Sequence, residues 1–268
     1  MLFRSKPDIK NSLKLFGAAH YVRARETGHV LYLEGSTDLA ILRALADRLN
    51  HPVRDLIADG AHLNVYYLQD NQPESGQTPD ELLDAVEGSF GQRAKAHFSA
   101  LRRILPDLRA LEIIDNDNRG LVETSEEGFT RLPWRRYELE NYIITPQILL
   151  DWAQPESFDL FEDQRAAILD ALIFEKIFEG NAADYSNYSA ANPATQSTIW
   201  RAQTQTKKLS VFAEEFFRRV ADATGTPMLL RKRDLYRLVE RQDPGAIDPE
   251  VSSKLGAIQQ LLQPQSTD

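Results

Sequence analysis

The chain contains no cysteine and only two methionines, and it has no run of about 18 apolar residues. The first absence excludes disulfides, zinc–cysteine sites and thiol nucleophiles, and fits a reducing compartment. The third predicts no membrane-spanning helix. MLFRSKPDIK at the start is too polar for the apolar region of a signal peptide, so the reading is cytoplasmic, with no membrane association. No GxxxxGK[ST] stretch occurs, so the chain has no phosphate-cradling loop of that kind. Five histidines, at 20, 29, 51, 62 and 97, show no zinc-ligand spacing. GSTD is not the GxSxG elbow of a hydrolase, and GSFG at 88–91 is too short for a dinucleotide loop. Positive charge is also in deficit: 31 lysines and arginines against 40 aspartates and glutamates leave a formal charge of −9. That balance argues against a protein that coats nucleic acid through its overall field, but allows an enzyme that acts on it.

What is present is a globular composition. The 268 residues are 42% hydrophobic and 26% charged, enough for one large domain or two small ones. An amphipathic helix is predicted from about Ile9 to Glu26, closed by Gly28. HVLYLEG follows as a strand buried on both faces, and LAILRALADRLN then carries an apolar stripe suited to a helix. Further strands are predicted at Leu63–Gln69 and in LRALEII, ending at Ile114, with a helix over 92–105 between them. DNQPESGQTPDE reads as an acidic loop. Strand alternating with helix predicts an α/β fold with a parallel sheet flanked by helices. After about Pro146 the pattern becomes mainly helical, with helices at 166–179, 209–224, 229–241 and 252–262, and a fraying tail at 263–268. The organisation expected is a linking helix (1–28), an α/β catalytic domain (29–145) and a helical region (146–262).

Carboxylates cluster where such a sheet binds ligands, beyond the carboxyl ends of its strands. Glu34 and Asp38 flank Gly35 after the first strand, and Asp115 and Asp117 follow the third. In extended backbone, residues two apart point the same way, so Asp115 and Asp117 can converge on one ion. Glu138 and Glu140 in PWRRYELENYI alternate likewise and, if extended, share a face. Hard oxygen ligands of this kind suit Mg²⁺ or Mn²⁺. A rival reading takes Asp115, Asp117, Gly120 and Glu126 as positions 1, 3, 6 and 12 of a calcium-binding EF-hand loop. It is the weaker one, because Arg119 occupies position 5 and a strand precedes the loop. Glu138 and Glu140 also have a plainer reading, as salt-bridge partners of Arg135 and Arg136.

EGSTD followed by DNDNRG, each after a predicted strand, resembles the paired signatures of the TOPRIM domain. The wording LYLEGSTDLAILRALADRL with RRYELENYI is similar to the overcoming-lysogenization-defect (OLD) type of TOPRIM nuclease, over about residues 10–145. The resemblance implies a Rossmann-like sheet in which Glu34, Asp115 and Asp117 hold metal and Asp38 supports it. Glu138 or Glu140 would match the further acidic ligand. It also implies a catalytic lysine, for which Lys232 in LLRKRDLYRLV is the candidate and Lys207 or Lys208 the alternatives. In that family the domain normally accompanies an ABC-like ATPase, here expected as a partner chain or a missing domain.

The function expected is therefore a Mg²⁺- or Mn²⁺-dependent endonuclease, hydrolysing phosphodiester bonds of DNA or RNA with two ions, in phage defence beside an ATPase. A second copy of the chain, in a homodimer, is a further partner that the reading allows. The competing expectation is a catalytically silent TOPRIM module that docks an ATPase.

Overall fold

The computed structural model describes residues 18–58, 60, 62–68, 90–153 and 208–263. In chain order its elements are α1 (Ala18–Thr27), β1 (His29–Leu33), α2 (Ser36–Arg48), α3 (Arg54–Ala58), β2 (Val65–Tyr67) and α4 (Phe90–Arg102). Then come β3 (Arg109–Ile114), β4 (Thr124–Glu126), β5 (Phe129–Pro133), α5 (Pro146–Ala153), α6 (Leu209–Thr224) and α7 (Pro249–Leu262), with 3-10 turns at Leu139–Tyr142, Lys232–Arg241 and Pro244–Ala246. The chain divides into two compact units. One comprises Met1–Ile114, Leu121–Pro133 and Glu250–Asp268; the other comprises Asp115–Gly120 and Trp134–Pro249.

The first unit is an α/β sheet in the order β2-β1-β3-β5-β4. β1 lies between β2 and β3 and is parallel to both, so all five residues of HVLYL are buried. That is why the run is apolar without alternation. Gly28, at φ +69°, donates to Ala24 O at 2.9 Å and ends α1 in the left-handed conformation that glycine adopts without strain. In α2, Leu39, Ile41, Leu42, Leu45 and Ala46 are buried. β3 is parallel to β5, but β4 is antiparallel to β5, so the sheet is mixed, mostly parallel, and not wholly parallel as expected. The cause is a two-residue hairpin: Glu127 and Gly128, at φ 43° and 85°, join the two strands, the left-handed pair that matches strand twist. A Cβ on Gly128 would meet Leu108 O at 3.2 Å. Tyr32, Phe98, Leu101, Leu108, Ala110 and Phe129 form part of the core.

The second unit is mainly helical among its described residues. Phe216 and Phe217 of α6 are fully buried and stand 5.2 Å apart. The expected helix over 229–241 is instead a 3-10 segment over Lys232–Arg241. Leu235 and Leu238 are buried there, and a spacing of three stacks side chains on one edge of a threefold helix. The remaining expected elements at 9–17, in the 70–81 loop and at 166–179 lie outside the described residues.

Candidate metal centre

Asp115 is the first residue after β3, where the chain leaves the sheet. The DNDNRG turn that follows is held by its own polar side chains. Asn116 Nδ2 donates to Trp134 O at 3.1 Å, and Gly120 N–H donates to Asn116 Oδ1 at 3.1 Å. The backbone N–H groups of Asn116 and Asp117 both donate to Tyr137 O, at 3.1 and 3.0 Å. Asp117 and Asn118 take φ of 47° and 58°, left-handed values that Asp and Asn tolerate better than most residues. The extended geometry expected for Asp115 and Asp117 therefore does not hold at Asp117. Its carboxylate instead pairs with Arg119 at 3.2 Å.

The 138–141 segment is not extended either: Glu138 is extended, at φ −143°, but it opens a 3-10 turn over Leu139–Tyr142. The turn is anchored by buried aromatics. Trp134 and Tyr142 rings lie 4.8 Å apart, and the Arg136 guanidinium sits 4.5 Å from the Tyr142 ring centre. Gln242 Nε2 donates to Tyr142 O at 2.8 Å. Turning, rather than alternation, brings the acidic side chains together. Carboxylate oxygens of Asp115, Glu138 and Glu140, all three residues buried, lie within 4.8 Å of one another.

That spacing suits one hard cation, since opposed oxygens around Mg²⁺ are about 4.2 Å apart and around Ca²⁺ about 4.6–5.2 Å. Two of the carboxylates are also held by hydrogen bonds. Asp115 Oδ1 accepts from Leu139 N–H at 2.9 Å. Glu138 Oε1 accepts from Ser210 N–H at 2.6 Å and its Oε2 from Ser210 Oγ at 3.0 Å. A carboxylate has about four acceptor sites, so such bonds orient the group without using it up.

Burial raises the Glu138 pKa, and the Ser210 bonds and the charges of Lys208 and Lys232 offset this only in part. Lys208 Nζ stands 3.5 Å from Glu138 Oε2. Burial alone would lower the lysine's pKa, but Glu138, Asp117, Asp115 and Glu140 together outweigh it and raise it. The four carboxylates thus share one electrostatic environment with Lys208, and Lys232 also acts on Glu138. Lys207 lies outside the described residues.

Glu34 and Asp38 lie close together in the first unit. Glu34 is buried at the end of β1. Asp38, in the first turn of α2, accepts from Glu34 N–H at 3.0 Å and Gly35 N–H at 3.4 Å, the reach-back of a capping box. Loss of hydration and then the Glu34 charge push its pKa up to about 7. Asp38 thus has a structural task whatever ligand it serves.

The plainer partners expected for the glutamates are engaged with a different acid: Arg135 and Arg136 bind Asp248 at 3.1 and 3.2 Å. The EF-hand reading finds no support, because Glu126 lies on β4 and pairs with Lys95 at 2.6 Å. No sequence pattern marks Ser210 or Asn141 as part of this site. No spacing rule links position 138 to 210, and a serine inside a helical run carries no signal of its own. No family model, curated protein or solved structure matches the chain.

Proposed function

We propose that the protein is a Mg²⁺- or Mn²⁺-dependent nuclease acting on DNA or RNA, of the TOPRIM kind found in OLD-type nucleases. The observation that carries this is the convergence of Asp115, Glu138 and Glu140, with ligand oxygens within 4.8 Å. Divalent ions at such a site would activate water and offset charge on the phosphodiester oxygens. The chain's own residues do the rest. Asp115, Glu138 and Glu140 bind; Asp117 adds negative charge beside them; Lys208, with Lys232 as the alternative, offers a cation to the negative charge that develops on phosphate. Glu34 and Asp38 are proposed as further ligands, serving a second ion. An ABC-like ATPase is the proposed partner, docking through the N-terminal helix that includes Tyr21.

The test is cleavage of supercoiled plasmid and of total RNA by chelator-stripped protein with Mn²⁺ restored. Asp115→Asn and Glu34→Gln are each expected to lower cleavage about 100-fold or more, since loss of a mere outer-shell partner already costs about 10–100-fold. Cleavage equal to wild type in both variants would sink the assignment. A second reading has its own observation. Ser210 and Leu139 already hydrogen-bond Glu138 and Asp115, as they would if the carboxylates only anchored α6 and the 139–142 turn in a catalytically silent module. That reading predicts intact ATPase binding and no cleavage of either substrate.

A further inference from the structure

We infer that Ser210 is a positioning residue for the acidic site, holding the Glu138 carboxylate in the orientation that an ion requires; this rests on the metal-binding reading above. The last torsion of a glutamate is broad and roughly twofold, so its carboxylate plane is undefined unless both oxygens are held. Ser210 holds both. Its N–H reaches Oε1 at 2.6 Å and its hydroxyl reaches Oε2 at 3.0 Å. Ser210 is 0% exposed and Glu138 1%, so water does not compete for either bond.

The local sequence explains why the serine is available for this. α6 begins at Leu209, and its N-cap, Lys208, makes no side-chain cap. The first N–H groups of a helix need outside acceptors. They find them on the site turn: Leu209 N–H donates to Asn141 Oδ1 at 3.1 Å, and Ser210 N–H donates to Glu138. Asn141 therefore does the helix-capping task without carrying charge. Ser210 does that task and also orients a candidate ligand with its hydroxyl. Conformational freedom that Glu138 would otherwise lose on binding an ion is already lost in the folded protein.

The two residues make an internal comparison. Mn²⁺ affinity of the full chain is measured by the electron-spin-resonance signal of free Mn²⁺, for wild type, Ser210→Ala and Asn141→Ala, well below each protein's melting temperature. Ser210→Ala is expected to weaken Mn²⁺ about tenfold or more, the range seen when an outer-shell partner of a ligand is lost. Asn141→Ala should lower the melting temperature yet leave affinity within about twofold, since the bond it removes at Leu209 N–H is a helix cap. If Ser210→Ala does not fold, Ser210→Cys, whose S–H is a weak donor, takes its place with the same expectation. Wild-type affinity in the serine variant, or an equal loss in both variants, overturns the positioning role and leaves the metal reading standing. Failure of the wild type to bind Mn²⁺ overturns the metal reading, and this inference with it.

Discussion

His97 is buried and Asp38 half-buried, and their pH signatures have opposite signs. Burial, reinforced by His20, lowers the His97 pKa from 6.5 to about 3, and the ring is tied to Tyr32 Oη at 2.8 Å. The folded state binds this proton less readily than the unfolded one. Its contribution is complete above pH 6.5 and is lost as pH falls toward 3. Asp38 moves the other way, from 3.8 to about 7. Its contribution is complete below pH 3.8 and is lost as pH rises through 7. Between these limits each residue tilts stability by at most about 1.4 kcal/mol per pH unit, and the two tilts oppose each other. In chelator, over pH 4–6.5, His97→Gln should therefore make stability fall more steeply with rising pH. Asp38→Asn, which keeps an acceptor for the capping bonds, should make it rise. Parallel urea-derived profiles for wild type and both variants would contradict this assignment.

Between elements, the bonds that matter most join residues far apart in sequence. Arg109, at the start of β3, donates to the carbonyls of Gln260, Leu261 and Gln263 at 3.2, 2.8 and 2.9 Å. It thus caps the carboxyl end of α7, where orphan carbonyls and the helix dipole both favour a cation. Arg109→Met should cost about 1–2 kcal/mol, read as a lower urea midpoint at unchanged slope; a midpoint within error of wild type would refute the capping role. Local signals made the end of α1 and the elements β1, α2, β3 and α6 legible in the sequence: a Gly28 stop, a continuous apolar run, an apolar stripe. α6 runs over the expected 209–224. β4 was not legible, because TSE is exposed throughout and has no apolar alternation. β5 was hidden by its polar Thr130 and Arg131, the latter paired with buried Glu112 of β3. At the site, all the acidic residues were visible as types. The turn over 139–142 and the partner at 210 were not, because a 3-10 turn and a contact across 72 positions leave no periodicity to read.

At the scale of the whole molecule, the formal charge of −9 becomes informative where it is concentrated. In the second unit, Asp115, Asp117, Glu138 and Glu140 share the surroundings of Lys208, and Lys232 also acts on Glu138. Arg119 pairs with Asp117 at 3.2 Å, while Arg135 and Arg136 are engaged with Asp248. Carboxylates held this close disfavour one another's ionised form, and burial independently raises the Glu138 pKa. A divalent cation that binds only the folded chain should relieve that repulsion, displace protons and stabilise the protein by mass action. At a hundredfold excess over its dissociation constant, one ion adds about 2.7 kcal/mol. The expected result is a Mn²⁺-dependent rise in melting temperature for chelator-stripped protein, largely abolished in Asp115→Asn. The response should be larger for Mn²⁺ than for Ca²⁺. Three converging carboxylate oxygens suit a small ion that completes its shell with water, whereas Ca²⁺ takes about 6–8 oxygen ligands. If basic side chains already satisfied the cluster, millimolar Mn²⁺ would leave the transition where it was. A flat response would thus transfer the carboxylates from catalysis to the anchoring of α6, the silent-module reading, in which Asp115→Asn changes stability without changing any response to metal.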